Sequence, residues 1–586
     1  MALDGTTLAA IKTEFENKLV GGRIDKIYQP EDNLLTIKIR QPGQDLKLLI
    51  SANSQNPRIH LTDQDFTNPL KPPTFCMLLR KHLESGRIRE IRQPKFERIL
   101  EIVIQYKDNT GELANKILTI ELMGRHSNII LTKENKQVLD SIKRVTGKMS
   151  RHREILPGKD YKRPPEQGKQ NPLTTSKDEF ITELKTDMNQ PFYRAIMNNY
   201  RGISPLIGKE IAVRANYDGL EELTSIQQIE NLWTAFTELF EQIKENNFNP
   251  TLIYSNNHKD LTDYAAFDLQ QYDSPKENFA SINQLLNHYY TTKIRQKKIN
   301  QLTDQIGSVI SNNKENAYKK YNKVKGQLKG ARNAEKYKLK GELITANIYQ
   351  LEKGEKKVTL PNYYENNEEV TIELDEDLSP SENAQRYFEK YEKAKKSVKY
   401  LKNEVTKAKN EIKYLNQLEN NLNNAESVAE LEELKQELID QNYIQEQKSN
   451  QNNNQDKKLP PLKFTSTDNY DILVGRNNRQ NDKLTKKIAN DQDLWFHVKD
   501  LAGSHTVVRN HTGKEIPENT ILEAAQIAAY YSKGRQSSKV PVDYTLVKHV
   551  NKPKGAKPGM VYYEHQTTLY VDPDEELVQD LEVDKN

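Results

Sequence analysis

Apolar residues recur at alternating spacings of three and four along one stretch of the chain: Ala384, Tyr387, Tyr391, Ala394, Val398, Leu401, Val405, Ala408, Ile412 and Leu415. That is a heptad seam, and it predicts a long helix in a coiled coil. Its start is punctuated. Ser379 can cap, Pro380 takes the first helical position, and Glu382 completes an S-x-x-E capping box. A helix of about 35 residues would run roughly 50 Å. Ile299, Leu302, Ile306 and Val309 have the same spacing, and Tyr321, Val324, Leu328 and Ala331 resume it. Gly307, Gly326, Gly330 and Gly341 predict breaks or kinks in this partner helix. Between the two lies KKVTLPNYYENNEEVTIELD, a small β element near 355–376. Residues 280–440 therefore read as an antiparallel coiled-coil arm with a β tip, a spacer suited to reaching a distant partner.

Other periods rule elsewhere. MALDGTTLAAIKTEFENKLVGG predicts an amphipathic helix with Asp4 near its cap and Leu8, Ile11, Phe15 and Leu19 on one face. Strand-like runs follow in RIDKIYQ, LLTIKIR, LKLLIS, RILEIVIQY, KILTIEL and NIILT, interrupted by one helix, PPTFCMLLRKHLES. Residues 1–175 thus form an α+β domain on a largely antiparallel sheet. Strands near 250–272 are candidates to return to that sheet. Residues 176–248 are helical, and FYRAIMNNYRGISPLIGKEIA reads as helix, tight turn, helix. Residues 441–460 are polar and asparagine-rich, as a linker would be. A compact domain spans 461–572, and the acidic tail 573–586 is expected to fray. The fold class is multidomain α+β.

Composition narrows the partners. Charged residues make up 29% of the 586 residues, yet the net charge is only +4, so polyanion contacts must come from local patches. The single cysteine, Cys76, excludes disulfides within the chain and thiolate zinc knuckles, and its apolar surroundings predict a buried residue. No apolar run approaches the roughly 20 residues needed to cross a bilayer. The N-terminal segment has no basic stretch followed by an apolar one. The expectation is a soluble cytoplasmic protein that engages no membrane.

Catalytic signatures are lacking. His497, His505 and His511 with Asp500 match no metal-ligand spacing, and neither a G-x-S-x-G elbow nor a G-x-x-x-x-G-K-[ST] loop occurs. No metal, no cofactor and no enzyme activity are expected. Polyanion chemistry is better represented. The segment from 143 to 170 is basic and rich in Pro and Gly, either a solvated linker or a strap along a phosphate backbone. The turn at Gly202 can offer backbone N–H groups to a phosphate, or simply join two helices. Glu97 and Arg98 open one strand, and Glu121, Leu122, Met123, Arg125 and His126 run from a strand end into a turn. An arginine beside a carboxylate suits phosphate or base-edge recognition, or a structural ion pair between strands.

The last domain opens with Arg476, Arg479, Lys483, Lys486 and Lys487. DLWFHVKDLAGSHTVVRN follows, with His497, Lys499, His505 and Arg509 as candidate RNA contacts and Trp495 as stacking platform or core. VKHVNKPKGAKPGMVYYEH then supplies Lys548, Lys552, Lys554 and Lys557 in a loop open enough to approach a backbone, or a merely solvated face.

Several of these segments, in this order, resemble the NFACT family and its bacterial RqcH branch, also described as FbpA-like fibronectin-binding proteins. IELMGRHSNIIL resembles its N-terminal domain, RGISPLIGKEIA its helix-hairpin-helix module, and GELITANIYQL with LSPSENAQRYFEKYEKAKK its coiled-coil arms. DLWFHVKDLAGSHTVVRN and VNKPKGAKPGMVYYEH resemble its RNA-binding domain, NFACT-R. The resemblance implies a tRNA and ribosome adaptor. Its partners would be the large ribosomal subunit with its ribosomal RNA, peptidyl-tRNA bearing a stalled chain, and alanyl-tRNA recruited for untemplated alanine tailing. The arm's tip would touch the ribosomal stalk base. The family's tRNA-contacting acid–arginine pair falls on Glu97 and Arg98, and its strand-end motif on Glu121, Leu122 and Met123. That pair is commonly Asp-Arg, so the carboxylate here reaches one methylene further. The N-terminal domain also resembles formamidopyrimidine-DNA glycosylase, but Ala2 and Leu3 replace the proline nucleophile and following glutamate, so the lyase chemistry has no reagent. A fibronectin-binding surface adhesin is the alternative reading.

Overall fold

The computed structural model describes residues 3–107, 111–256, 260–445 and 459–583. They fall into two compact units, Met1–Ile294 and Arg295–Asn586.

The first unit starts with helix α1 (Gly5–Leu19), which Asp4 caps through Thr7 N–H at 2.9 Å. A nine-stranded antiparallel sheet follows in the order β4-β3-β2-β1-β5-β6-β7-β8-β9. Its strands are β1 (Arg23–Glu31), β2 (Leu34–Gln41), β3 (Gln44–Ser51), β4 (Arg58–Leu61), β5 (Arg87–Arg92), β6 (Ile99–Lys107), β7 (Leu113–Glu121), β8 (Asn128–Lys133) and β9 (Val138–Ser141), with helix α2 (Thr74–Leu83) between β4 and β5. β4, β5 and β9 were not legible as strands, because each is short and lacks an apolar run. Helices α3 (Lys177–Lys185), α4 (Phe192–Asn199), α5 (Pro205–Arg214) and α6 (Ile226–Lys244) share one hydrophobic core with α1 and the sheet. Cys76 is buried there, its thiol against the Ile27 carbonyl.

β10 (Thr251–Tyr254), β11 (Leu261–Ala265) and β12 (Lys276–Asn278) do not return to the large sheet. They make a three-stranded sheet of their own, β11-β10-β12, packed on the same core through Leu252, Ile253 and Tyr264. Helix α7 (Ile282–Arg332) begins in this unit, where Glu14 accepts hydrogen bonds from the Ile282 N–H and the Asn283 amide, both at 2.6 Å.

In the second unit α7 continues without interruption past Gly307 and Gly326, so the expected breaks there do not occur. A Cβ at Gly307 would meet only Leu422 Cδ2 at 3.5 Å, and at Gly326 nothing within 4 Å, so these glycines answer no close approach. The break comes after Arg332, where α8 (Ala334–Ala346) takes over. β13 (Lys357–Asn362) and β14 (Glu368–Glu373) form the expected hairpin. Helix α9 (Pro380–Asn423) starts with the expected capping box, Ser379 and Glu382 bonded reciprocally. It spans 44 residues, longer than the sequence indicated, because Leu418 and Leu422 extend the seam into a three-helix base with α7 and α10 (Val428–Asp440).

A six-stranded sheet closes the unit, with β15 (Leu462–Thr465), β16 (Asp471–Val474), β17 (Leu494–Val498), β18 (Thr506–Val508), β19 (Val540–Leu546) and an edge strand over Thr567–Val571. Along β17 the residues alternate between faces. Phe496 and Val498 join the core under helix α12 (Glu518–Tyr530). Trp495 faces the other side, under the short helix α11 (Asn478–Lys483) and a π-turn over Leu484–Ile488. A two-stranded ladder, β20 (Val550–Asn551) with β21 (Tyr562–Tyr563), makes the lysine-rich loop a hairpin; the edge strand is thus β22. The acidic tail does not fray over its described part. Glu575–Leu581 is helical (α13), with Val578 in the core. Of the expected linker, residues 446–458 lie outside the described residues.

Candidate nucleic-acid interfaces

Stretches well separated in sequence form three walls of one cavity of about 290 Å³ in the first unit, with Asp4 and Met197 also in its lining. Glu97 and Arg98, just before β6, form the first wall with Met123, just after β7. The hairpin turn Arg201–Pro205 is the second, and Pro164, Pro165, Gln167 and Lys169 of the basic segment are the third.

Local geometry aims Glu97 and Arg98. Lys95 and Phe96 both take positive φ, 49° and 60°, a conformation that side chains with a Cβ rarely adopt. Packing maintains it. Phe96 is buried against Phe240, and its carbonyl lies where a Cβ on Gly202 would be, 2.4 Å away. Gly202 itself has φ +70°, so glycine is required there on two counts. The Gly5 N–H donates to the Gly202 carbonyl at 2.8 Å, and the Ser204 hydroxyl to Asp4 at 2.8 Å. The starts of α1 and α5 are thus pinned together at the cavity. The Leu122 N–H donates to the Arg98 carbonyl at 2.9 Å, which sets Met123 beside the pair.

Glu97 and Arg98 do not pair with each other. Among the described residues neither side chain has an ion-pair partner, although both are half-buried. Burial pushes the Glu97 carboxyl above its ordinary value, against the opposing pull of Arg201, Arg163 and Lys95. Burial, with Arg98 nearby, lowers the Lys169 ammonium, which donates to the Met197 carbonyl at 2.8 Å. The cavity therefore offers the Glu97 carboxylate and the Arg98 guanidinium, both unpaired among the described residues and desolvated in part, with Lys169 on a carbonyl and Arg201 within 4.0 Å of Glu166 beside them. Groups so placed bind a ligand of matching charge at little further desolvation cost.

Glu121 is different. It is fully buried and accepts both guanidinium nitrogens of Arg153, at 2.6 and 2.7 Å, and the Tyr161 hydroxyl at 2.8 Å. Its expected ligand contact gives way to a structural one: it fastens the basic segment to the sheet. Arg163 on Glu101 at 2.9 Å is a second fastening. The segment is consequently neither a solvated linker nor a free strap. Leu122 is buried at 1% exposure, so its side chain belongs to the core. Arg125 and His126 stand exposed on a 3-10 turn, bonded to each other at 2.9 Å.

In the second unit the structure separates residues that the sequence grouped together. His505 is 1% exposed, edge-on to Trp495, its Nδ1 at 2.8 Å from the Thr485 hydroxyl. Burial, with His497 adjacent, drops it to about 3. It is a core residue, not an RNA contact. His497 stacks parallel on Trp495, its Nδ1 at 2.7 Å from the Val498 carbonyl. Trp495 is fully buried and is core, not platform. Arg509 is held on buried Asp493 at 2.7 Å.

Lys552 is paired with Asp482, and Lys557 with Glu411 at 2.6 Å while lying over the rings of Tyr414 and Tyr443, each at 4.7 Å. Arg476 and Arg479 are paired with Glu430 and Asp440 of α10. Lys499, Lys548 and Lys554 are exposed, with no carboxylate in ion-pair reach among the described residues. Sequence reasoning missed Lys169 and Arg201 as cavity residues; the signals available were the Gly-Ile-Ser-Pro turn and the local basic excess.

The pattern of the NFACT N-terminal and middle domains matches residues 4–457, and that of the NFACT protein RNA binding domain matches residues 461–564. A Bacillus subtilis protein named Rqc2 homolog RqcH is 39% identical over 581 residues, 99% of each chain. A Drosophila melanogaster protein named ribosome quality control complex subunit NEMF homolog is 21% identical over 626 residues, 88% of this chain and 59% of its own. The solved N-terminal part of the fibronectin/fibrinogen-binding protein from Streptococcus suis is 35% identical, with a TM-score of 0.42, over 50% of this chain and 99% of its own. With both patterns matched in order along nearly its whole length, the chain belongs to the NFACT family.

Proposed function

We propose that this protein is a ribosome quality-control factor that holds RNA and performs no bond-making itself. It binds large ribosomal subunits obstructed by peptidyl-tRNA and recruits alanyl-tRNA there. The ribosome then extends the stalled chain with untemplated alanine, which marks it for degradation. The arm's tip engages the stalk base. Family membership and the names of the relatives support the quality-control role.

The observation that carries the reading is the cavity. A half-buried carboxylate and a half-buried guanidinium, adjacent in sequence and unpaired, face a space walled by three elements. A nucleotide of an unstacked RNA loop satisfies both. Its phosphate or a guanine edge suits Arg98, and base amino or imino donors suit Glu97. Lys169 and Arg201 supply further phosphate contacts.

Arg98→Ala tests this. Removal of one charge-assisted contact in a desolvated site costs about 1.5–3 kcal/mol, or tenfold and more in affinity. Recovery of tRNA with the purified variant, counted by sequencing the bound RNA, should fall by that factor while the thermal midpoint stays put. Unchanged tRNA recovery would remove the cavity from the binding site.

A further inference from the structure

The cations of the second unit divide into two sets. Arg476, Arg479, Lys552 and Lys557 are neutralised by acids of α9, α10 and α11. The pairs of Arg476, Arg479 and Lys557 clamp the sheet domain to the base of the arm, where the Gly503 N–H also donates to Gln417 of α9 at 3.1 Å, and the Lys552 pair ties the lysine-rich hairpin to α11 within the domain. The second set has no acid in reach among the described residues, and one layer of structure gathers much of it. The π-turn Leu484–Ile488 follows Lys483 and exposes Lys486 and Lys487. Leu484 and Ile488 point inward, onto Trp495, Val547, Val550 and Tyr563. Those last residues flank Lys548 and carry the hairpin that bears Lys554. The Lys548 N–H also donates to the Asp491 carbonyl, a short way past the π-turn.

We propose that Lys483, Lys486, Lys487, Lys548 and Lys554 form the phosphate-gripping face of this unit, and that Lys552 and Lys557 are scaffold rather than RNA ligands. The inference rests on the RNA-binding reading above and assigns its residues. Three observations carry it. These five lysines are exposed and without carboxylate partners, so releasing the counterions of an RNA backbone costs them no ion pair. A π-turn is a rare insertion that is seldom kept without a use. Here it breaks the helix so that Lys486 and Lys487 point outward while Leu484 seals the core. It is also rigidly seated, since Thr485 is held by buried His505 and the Ala489 N–H closes on the Leu484 carbonyl at 2.9 Å. The acid nearest in sequence, Asp482, is occupied by Lys552 and the Gly559 N–H. The ammonium groups of this face are therefore left free for phosphates, as binding to a sugar-phosphate backbone of either single or double strand requires.

The test is a salt titration of the full chain with a fluorescein-labelled RNA hairpin. Each phosphate contact contributes about 0.7–0.9 to the slope of log affinity against log salt. Changing Lys483, Lys486 and Lys487 together to Gln should lower that slope by about 2, and affinity tenfold or more at moderate salt. Arginine at the same three positions should restore both. Lys552→Gln with Lys557→Gln should leave the slope as in the parent chain. An unchanged slope in the triple variant, with the parent still binding, would overturn this assignment alone. So would a larger loss from the Lys552 and Lys557 pair. A parent chain with no salt-dependent affinity for the hairpin would remove the RNA-binding reading as well.

Discussion

In the first unit Arg98 sits half-buried beside an unpaired carboxylate, inside a cavity with walls from three parts of the chain. In the second, Lys486 and Lys487 stand exposed on a turn, with hydrophobic core beneath them and solvent beyond. The first arrangement offers both signs of charge in fixed geometry, so it can tell one nucleotide edge from another. The second offers cations without carboxylate partners, among the described residues, on an open face, so it can only grip. The proposed function, choosing one RNA and staying on a large ribonucleoprotein, calls for both kinds of surface. The difference also sorts the buried polar groups. In the first unit buried Asp4 and Glu121 fasten the cavity's walls. In the second, buried His505 holds the π-turn and buried Gln417 bonds the sheet domain to α9.

The strongest blow to this contrast is Arg153→Ala. It leaves Glu121 buried without its cation, at a cost of about 3–5 kcal/mol. The urea midpoint of the first unit should fall, hydrogen exchange over residues 150–165 should rise, and tRNA recovery should drop although Arg153 faces no ligand. Unchanged exchange in that segment would mean that Glu121 does not fasten it.

Acid should act on the other unit. Folded His505 stays neutral down to about 3, whereas its ordinary value is 6.5. Between those values the unfolded chain binds the extra proton, so stability is full above about 6.5 and is lost as pH falls toward 3. With Trp233→Phe, Trp495 becomes the one tryptophan and reports this directly by fluorescence. His505→Gln should flatten the loss, and an identical acid profile in that variant would exclude His505 as its source. The smallest effect belongs to Lys557→Gln. Losing a partly exposed ion pair and two ring contacts should lower the second unit's stability by about 1 kcal/mol. A loss several times larger would show a clamp far tighter than its exposure indicates.

Much of this was legible beforehand because it is local. The capping box of Ser379 and Glu382, the heptad run from Ala384, the hairpin at its tip and most strands of the first sheet depend on residues a few positions apart. The candidate site was legible only as parts. Glu97 and Arg98, the Gly202 turn and the basic segment were each recognisable. Which basic residues remained free was not, since Arg153 and Arg125 look alike in sequence and only one meets a buried carboxylate. Lys557 and Lys554 differ in the same way, three positions apart in one loop.

Sequence alone therefore determined most of the elements and their order, because periodicity, capping and turn chemistry act over short separations, and its longer motifs carried the family resemblance. Tertiary structure decided which charges are spent and which are offered. An ion pair or a cavity wall joins residues tens to more than a hundred positions apart, and at that separation only packing brings them within reach.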